Sequence, residues 1–525
     1  MSGGRAAAIA AWREALGAEH VVEGPPLRAT FAADREVTAL LSPGSVGEVQ
    51  ECLRIANRCG TPLHPVSAGR NWGYGSQLPP RTRCAVLHLG RLDKILDFNP
   101  EMAWVTVEPG VTFRQLHAFL VEKNATLFAT TTGASPEASL IGNALERGDG
   151  RGPCGDRFAH LCNLQVVLPS GELIHTGFGR WPDALAANAG RWGLGPDLDG
   201  LFAQSGLGVV TRATIWLTPL PRCLHQGIWR IERDEQLPAV VDALRGLRLR
   251  GALRSTVALW NDYKTLTLLR QFPWELTGGE TPLSREWMAT LREGAWYGRW
   301  SGALAIYGAS RAQADADRAL VEEALQPVVN QIDFAPPLEP TAMATAVGPL
   351  LGVPDAQNVT SVYWRKRTPP PSPLDPDRDG CGVMWCSVAV PLEGRAAKDA
   401  ALRMEVTALA HGFEPLIAMI APTERLLYLV ASLVWDRDVP GDDQRAQACH
   451  DALLAEAIAH GAYPFRLGIH SMGAAPPDPA YARLLATLKD ALDPGHILSP
   501  GRYEWLPAGS PERRPDAEVI SASHE

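Results

Sequence analysis

The stretch PVSAGRNWGYGS, residues 65–76, places three glycines beside an arginine and an asparagine. Because Gly69, Gly73 and Gly75 lack a Cβ atom, the backbone N–H groups around them can approach an anion closely. The pattern predicts a phosphate cradle. The spacing is not G-x-G-x-x-G and no capped amphipathic helix follows directly, so a Rossmann turn is not predicted. An ordinary glycine-rich surface turn has the same composition, and the rest of the chain must decide between the two.

The length and composition of the chain describe a globular protein of more than one domain. At 525 residues it exceeds what one hydrophobic core usually organises. Its 46% hydrophobic and 20% charged residues lie in the globular range. The net charge of −9 comes with no run of Lys and Arg interleaved with aromatic residues. We therefore expect no nucleic-acid partner.

The nine cysteines are odd in number, scattered and in no C-x-x-C pair. This pattern predicts reduced thiols, without a disulfide framework or a zinc site. The apolar residues between 6 and 16 are interrupted by Arg13 and Glu14, so no signal peptide is predicted. No window of about 20 apolar residues exists, so no membrane span is predicted. We expect a soluble, cytoplasmic protein.

Local signals predict a mixture of helices and strands before residue 222. Ser45 and Glu48 form a capping box ahead of a helix over 45–60, and Thr112 caps a second helix. Further strand signals lie at 85–89, at 104–107, in a hairpin over 163–176, and within 209–219. The long Gly/Ser/Thr-rich stretch 130–155 is of the kind that is usually functional. This part reads as an α+β unit.

The region 223–462 has a different pattern, with strands separated by long amphipathic helices. The predicted strands are 303–307, 384–390, 415–420 and 426–435, and the predicted helices are 234–247, 312–328, 395–411 and 443–460. This order predicts a sheet covered by helices on one face. The proline-rich stretch 368–380 should stay irregular, with Asp375 and Asp377 in solvent. A helix at 478–492 and a polar, disordered tail after Gly509 complete the chain.

Other catalytic motifs are missing from the sequence. It contains no G-x-x-x-x-G-K-[ST], no H-E-x-x-H and no G-x-S-x-G, and its histidines are dispersed. For a lone histidine such as His64 a packed or surface role is the simpler interpretation. No metal site is expected.

Four separated segments together resemble the flavoproteins typified by vanillyl-alcohol oxidase and p-cresol methylhydroxylase. They are PVSAGRNWGYGS (65–76), PEMAWVTVEPGVTF (100–113), IGNALERGDGRGPCGDRF with LCNLQVVLPSGELIHTG (141–177), and DGLFAQSGLGVVTRATIWLTP (199–219). A fifth segment, LDPGHILSPGRYEW (492–505), has the family's C-terminal form. The segments occur in the family's order, which is more specific than any one of them.

The resemblance implies an α+β fold of two domains. A discontinuous FAD-binding domain of the VAO/PCMH type would comprise residues 1–222 and the return 463–525. Residues 223–462 would form a cap (substrate) domain with an antiparallel sheet covered by helices, placed over the flavin ring.

The resemblance also implies which residues hold FAD. They are Ser67, Ala68, Gly69, Arg70, Asn71, Gly73, Gly75, Ser135, Gly142, Asn143, Glu146, Gly148, Gly155, Val209, Val210 and Arg502. Arg502 would lie near flavin N1 and O2, where a cation stabilises the reduced ring, although a surface role after a Pro-Gly turn stays open. The position at which relatives tether the flavin aligns with Val383, so we expect non-covalent FAD. A linkage through Cys381 would need a different geometry.

For the substrate, the family binds phenols as phenolates between two tyrosines and an arginine. Here Tyr74 and Arg466 match the first tyrosine and the arginine, whereas Phe465 replaces the second tyrosine and cannot donate a hydrogen bond. Losing one donor to an oxyanion costs ~3 kcal/mol in a dry site. Trp72, Phe465 and Val383 are expected to contact the substrate. Tyr428 is either a catalytic polar group above it or a core tyrosine.

The resemblance predicts an FAD-dependent oxidase or dehydrogenase that takes a hydride from a benzylic or carbinol C–H of a small aromatic substrate. One alternative is a tailoring oxidase acting on a larger natural product. Another is a flavin-fold protein that binds a ligand without turnover. The electron acceptor, O2 or a redox protein, and the oligomeric state, for which a homodimer is one option, stay open.

Overall fold

A computed structural model describes residues 2–343 and 348–504, and the predicted tail after Gly509 lies outside these ranges. The part before the cap contains α1 Ser2–Leu16, β1 Val21–Glu23, β2 Val37–Leu41, α2 Val46–Cys59, β3 Leu63–Val66, β4 Cys84–His88, β5 Ile95–Asn99, β6 Trp104–Val107, α3 Phe113–Glu122, β7 Leu127–Phe128, α4 Leu140–Leu145, β8 Leu161–Val167, β9 Leu173–His175, β10 Val209–Trp216 and β11 Thr218–Pro219.

The second part begins at residue 223. It contains β12 Cys223–Ile231, α5 Leu237–Leu249, β13 Val257–Asn261, α6 Asp262–Leu269, α7 Trp274–Thr277, α8 Arg285–Arg292, β14 Trp300–Gly308, α9 Arg311–Leu325, β15 Gln331–Phe334, α10 Pro340–Met343, α11 Gln357–Thr360, β16 Cys381–Pro391, α12 Gly394–Ala410, β17 Leu416–Ala421, β18 Leu426–Asp436, α13 Asp442–Ala459, β19 Tyr463–Arg466 and α14 Pro479–Leu492.

The helix ends of the first part follow the predicted capping residues. The Ser45 hydroxyl accepts a hydrogen bond from the Glu48 N–H, and Gly60 ends α2 in the left-handed region with φ 59°. The Glu48 carboxylate accepts from the Gly44 N–H instead of closing the box on Ser45. The Thr112 hydroxyl accepts from the Gln115 N–H at the start of α3.

Two larger sheets and the short antiparallel pair of β7 and β11 form the first part. One has the order β1-β2-β4-β3, in which β2, β4 and β3 run parallel, and the other is antiparallel with the order β5-β6-β10-β8-β9. The C-terminal return lies beside β3, because the Leu63 N–H donates to the Ile497 carbonyl and the Ser499 N–H donates to the Leu63 carbonyl, both at 2.7 Å. The C-terminal return therefore packs against the first part of the chain.

An eight-stranded antiparallel sheet dominates the second part, in the order β15-β12-β14-β13-β17-β18-β16-β19. Side chains alternate between its faces, as the period of a strand requires. Leu259 and Met419 pack in the core that α5, α9, α12 and α13 share with one face, whereas Ala258, Trp260 and Ala418 line a cavity on the other. The predicted helix-covered antiparallel sheet is confirmed.

This eight-stranded sheet, called the cap sheet below, contains more strands than the sequence patterns predict. Strands β12, β13, β15 and β19 carry no prediction, and β19 pairs antiparallel with β16. The prediction had assigned the four residues of β19 to the C-terminal return. Their backbone hydrogen bonds run to β16, so they belong to the cap sheet.

No helix in residues 2–343 and 348–504 is both long and apolar enough to cross a membrane. In the same ranges no group of His, Cys, Asp and Glu side chains is arranged to hold a metal ion. All nine cysteines lie in the described ranges, and none of them is in a disulfide bond there.

Candidate active site

A cavity of about 620 Å³ lies between the glycine turn, the C-terminal return and the open face of the cap sheet. Most of the predicted site residues line it. They are Ser67, Ala68, Gly69, Arg70, Asn71, Trp72, Tyr74, Gly142, Asn143, Glu146, Gly148, Val209, Val210, Phe465, Arg466 and Arg502. Positions as far apart in the chain as 67 and 502 therefore share one site.

Backbone amides without acceptors form the floor of this cavity. Within the described parts of the chain, the N–H groups of residues 68–72 contact no hydrogen-bond acceptor. Gly69 has φ 69°, in the left-handed region that favours glycine, and a Cβ at Gly142 would lie 3.0 Å from the Ser67 hydroxyl. The Asn143 Oδ1 atom is also buried without a partner. Unsatisfied donors in a concave turn suit the diphosphate of a dinucleotide.

The proline-rich loop, residues 368–380, forms hydrogen bonds with this turn. The Trp72 indole N–H and the Ser76 hydroxyl donate to Asp377 at 3.0 and 2.8 Å, and Arg70 donates to Asp375 at 2.7 Å. Burial raises the pKa of Asp377 to about 6. The prediction that these two acids are solvated is wrong, because the loop folds back over the turn and uses them as acceptors.

Tyr74 and Arg466 lie together at the polar centre of the cavity. The Arg466 guanidinium carbon lies 4.0 Å from the centroid of the Tyr74 ring, and its Nη2 donates to Asn71 Oδ1 at 2.5 Å. The Tyr74 hydroxyl lies 2.6 Å from the Ser387 hydroxyl on β16. Burial raises the pKa of Tyr74, and the charge of Arg466 opposes this rise.

Glu146 connects this centre to Arg502. Its carboxylate pairs with the Arg502 Nη2 and lies 3.8 Å from the Arg466 Nε. The Arg466 Nε is buried without a hydrogen-bond acceptor. Arg502 is therefore a paired residue of the cavity wall and is only partly exposed.

Phe465 and Tyr428 form a flat stack. Their ring centroids are 3.7 Å apart with an interplanar angle of 8°, and only Phe465 lines the cavity. The Phe465 carbonyl accepts from Gln204 at 2.9 Å, which holds the backbone of β19 in place. Burial raises the pKa of Tyr428 to about 12. Tyr428 therefore packs behind Phe465 and does not itself line the cavity. Its catalytic role stays a prediction.

Five other predicted residues lie outside the cavity wall: Gly73, Gly75, Ser135, Gly155 and Val383. At each of the three glycines, neighbouring protein atoms leave no room for a Cβ atom. A Cβ would lie 2.0 Å from the Trp385 Nε1 at Gly73, 2.8 Å from Ile469 at Gly75, and 2.3 Å from the Pro422 carbonyl at Gly155.

Ser135 and Val383 have their own structural contacts. The Ser135 hydroxyl accepts from the Glu137 N–H. Val383 is buried in an apolar cluster, and its backbone exchanges hydrogen bonds with Thr30 at 2.9 and 3.0 Å. The residue of β16 that lines the cavity is Trp385, whose indole N–H donates to the Trp72 carbonyl at 2.7 Å.

Three charged residues of the cavity wall were not singled out individually from the sequence: Asp149, Arg151 and Lys264. The sequence does contain a signal for Lys264, because it is the lone basic residue of the otherwise uncharged run YKTLTLL. Burial and the nearby charge of Arg151 lower the pKa of Lys264 to about 8. Burial raises the pKa of Asp149, and Arg151, Arg157 and Arg466 oppose the rise.

Comparison with known proteins finds relatives with the same fold. Residues 37–177 match the model of an FAD binding domain. The chain is 44% identical to 1'-carboxy-chondrochloren decarboxylase of Chondromyces crocatus, over 95% of this chain and 98% of the relative. It is 29% identical to the flavoprotein subunit of 4-cresol dehydrogenase [hydroxylating] of Pseudomonas putida, over 91% of this chain and 89% of that one.

This chain belongs to the vanillyl-alcohol oxidase/p-cresol methylhydroxylase family. Its structure matches p-cresol methylhydroxylase with substrate bound at a TM-score of 0.87 and 26% identity, covering 96% of this chain and 97% of that one. It also matches 4-ethylphenol oxidase from Gulosibacter chungangensis, in its isoeugenol complex, at a TM-score of 0.86 and 25% identity, with 97% and 98% covered. As a member of this family the chain is an FAD-dependent oxidoreductase.

The polar groups of the cavity fit the cofactor of this family. The open amides of 68–72 suit the diphosphate, and Asn143 Oδ1 is an acceptor without a partner. Arg466 and Arg502 add positive charge to the same cavity, where a reduced flavin carries negative charge.

Proposed function

We propose that this enzyme removes a hydride from an activated benzylic or carbinol C–H bond of an aromatic substrate. The observation that supports this proposal is the contact of Tyr74 with Arg466 in the cavity that also contains the amide turn. FAD, when bound, supplies the acceptor for the hydride. The chain's own residues bind the substrate, orient it and exclude water.

In this proposal Tyr74 and Arg466 act on the substrate oxygen. The Tyr74 hydroxyl is a donor or acceptor held at 2.6 Å from Ser387, and the Arg466 charge favours the ionised form of a nearby phenol. Phe465 supplies a flat apolar wall without a third donor. Charge on the substrate oxygen is therefore stabilised by ~3 kcal/mol less than it would be with a tyrosine there.

The cofactor-binding assignments belong to the same proposal. Residues 67–71 and Gly142 would contact the diphosphate, whereas Glu146 and Arg502 would lie toward the ring. Gly73, Gly75 and Gly155 would support that shape through their packing against Trp385, Ile469 and Pro422. FAD would be held without a covalent bond, since Val383 is buried away from the cavity.

A second candidate function is oxidative decarboxylation. It is favoured by the 44% identity to a protein named as the decarboxylase of a carboxy compound. In such a step hydride leaves the benzylic carbon, the bond from the adjacent carbon to its carboxylate breaks, and that electron pair forms the new C=C bond. Carbon dioxide leaves, and the two electrons of the hydride go to FAD. This half-reaction needs no added proton, and turnover needs O2 or a redox protein to reoxidise the flavin.

Anaerobic reduction of the bound flavin tests both candidates. We expect 4-ethylphenol, 4-hydroxybenzyl alcohol or 3-(4-hydroxyphenyl)propanoate to bleach the flavin band near about 450 nm. Release of carbon dioxide from the propanoate during bleaching would favour decarboxylation over simple oxidation. Failure of every phenolic and benzylic compound to bleach a fully loaded enzyme would contradict the proposal.

The variant Arg466→Ala tests the assignment of the substrate oxygen. We expect flavin reduction to slow by roughly 10²–10³-fold, because one preorganised charge is lost from the site, while FAD stays bound. Arg395→Ala, at an exposed position of α12, is the matched control. Unchanged reduction kinetics in Arg466→Ala would contradict its role.

A further inference from the structure

Lys264 is a buried cation that faces the cavity from the cap side. It lies in α6, whose residues from Asp262 to Thr267 are all buried, and only 5% of it is exposed. Its Nζ donates to the Ser361 hydroxyl at 2.8 Å. Across residues 2–343 and 348–504, no carboxylate oxygen lies within 4.0 Å of this Nζ. The ammonium therefore has a hydrogen bond but no counterion.

Arg151 brings a second positive charge to the same end of the cavity. Both residues line the cavity, and the charge of Arg151 is close enough to Lys264 to disfavour its protonated form. The Arg151 Nη1 lies 3.9 Å from Asp355, a distance too long for a hydrogen bond. Asp149 also lies close enough to interact with Arg151, so among the described residues the cation without an acidic partner is Lys264, whose buried charge a bound anion would stabilise.

Asn358 joins the two cations into one patch of donors. The Ser361 hydroxyl that accepts from Lys264 donates in turn to the Asn358 carbonyl at 2.7 Å. The Asn358 Nδ2 and the Arg151 Nη2 lie 2.5 and 3.5 Å from the position of a Cβ at Gly133, so these two groups are neighbours. Gly133, Arg151 and Asn358 all line the cavity, and a side chain at Gly133 would clash with the Asn358 amide.

We propose that Lys264 and Arg151 form a carboxylate-binding subsite on the cap side of the cavity, with Asn358 as a neutral donor. The proposal rests on the proposed function, in that it assigns the cavity to the substrate, and it adds that the substrate carries a carboxylate. A planar carboxylate suits the fork of an arginine and the point charge of a lysine. Trp260 and Trp385 give the same side of the cavity aromatic walls for an aromatic acid.

A purely structural role for Lys264 makes a different prediction. Its Nζ lies 6.0 Å from the centroid of the Trp385 ring, at the limit of a cation–π contact. If that contact were its purpose, replacing Lys264 would change folding or the position of Trp385. It would not change the discrimination between an acid and its amide.

The test compares two ligands of nearly the same shape, one with a charged carboxylate and one with a neutral carboxamide. Reduced holoenzyme accepts no hydride, so 3-(4-hydroxyphenyl)propanoate and its carboxamide can be titrated at equilibrium, with tryptophan fluorescence as the signal. We expect the wild type to bind the acid at least about 30-fold more tightly than the amide, as for a buried charge pair. Lys264→Gln should remove most of this preference and Lys264→Arg should keep part of it.

The controls separate this proposal from the proposed function. Lys94→Gln, at an exposed position outside the cavity wall, should keep the full preference. Arg151→Gln gives a second, independent loss of preference should Lys264→Gln bind no FAD. Equal affinity of the wild type for acid and amide would overturn the subsite, even if phenols bleach the flavin. A strong preference for the acid without any bleaching would support the subsite and contradict the proposed function.

Discussion

Phe465 removes one hydrogen-bond donor from the polar centre of the cavity. Its ring lies flat against Tyr428 and lines the cavity beside Arg466. Phe465→Tyr keeps the stacked shape and adds a hydroxyl that can donate to a substrate oxygen. We expect flavin reduction by 4-ethylphenol to become roughly 10–100-fold faster, since an added oxyanion donor is worth up to ~3 kcal/mol. Anaerobic stopped-flow absorption measures this rate.

Phe465→Leu is the control for this prediction, because it changes the wall without adding a donor. It should leave the rate with phenols unchanged or lower. If Phe465→Tyr gives no gain with 4-ethylphenol, the substrate oxygen does not lie at this end of the cavity.

We expect Lys264 to lower the free energy of unfolding of the ligand-free protein. Its pKa of about 8 in the folded chain lies below the unfolded value near 10.4, with Arg151 as the charged neighbour. Between these two values the unfolded chain binds more protons, so Lys264 makes the free energy of unfolding rise with pH across this window. At pH 7 Lys264→Met should therefore be more stable than the wild type by roughly 1–3 kcal/mol.

Thermal or urea unfolding of both proteins at pH 7 and pH 10 measures this difference. The gain of Lys264→Met over the wild type should be largest at pH 7 and should shrink toward pH 10. A variant that is less stable than the wild type at pH 7 would mean that the ammonium is already compensated.

At the scale of elements, the proline-rich loop and the glycine turn act as one unit. Asp377 accepts hydrogen bonds from both Trp72 and Ser76, so it fixes the curvature that leaves the amides of 68–72 open. Asp377→Ala should raise the dissociation constant of FAD about 10–100-fold, because a hydrogen bond to a charged group is worth about 1.5–3 kcal/mol. Titrating the apoprotein with FAD and following flavin fluorescence gives this constant.

Asp183→Ala, at an exposed position outside the cavity wall, is the matched control and should leave FAD binding unchanged. Equal FAD affinity in Asp377→Ala and the wild type would show that the turn keeps its shape without the loop.

The cap sheet contributes a wall because a strand presents alternate residues to opposite faces. Leu259 and Met419 bury one face under helices, and Trp260, Ala418 and Trp385 turn to the cavity from three strands. Gly73 lets the Trp385 indole approach the turn, since a Cβ there would lie 2.0 Å from its Nε1. The cap sheet and the glycine turn thus pack closely where Trp385 meets Gly73.

At the scale of the whole molecule, the described cavity offers few side chains for a covalent bond to flavin. Val383 and Cys381 are both fully buried in one apolar cluster and do not line the cavity. His64 lines it, but burial lowers its pKa to about 3 and its Nδ1 lies 3.1 Å from the Ser499 hydroxyl. Acid precipitation should therefore release yellow flavin into the supernatant. Flavin colour that stays with the pellet would contradict non-covalent binding.

The amino-acid sequence by itself determined the local elements and their order. Ser45 and Thr112 cap helices through bonds that span three residues, and Gly69 permits its own positive φ. Such interactions lie within one turn of chain, so a pattern of neighbouring residues reveals them. The order of the five segments that resemble the family is also a property of the linear chain.

Only the tertiary structure decided which side chains meet. Asp377 was predicted to be solvated and holds Trp72 across 305 positions, while Arg466 reaches Asn71 across 395. Strand β19 pairs with the cap sheet, and Lys264 faces the cavity with no carboxylate partner among the described residues. These partners are set by sheet register and by the folding back of loops, which leave no periodic signal in either partner's own segment.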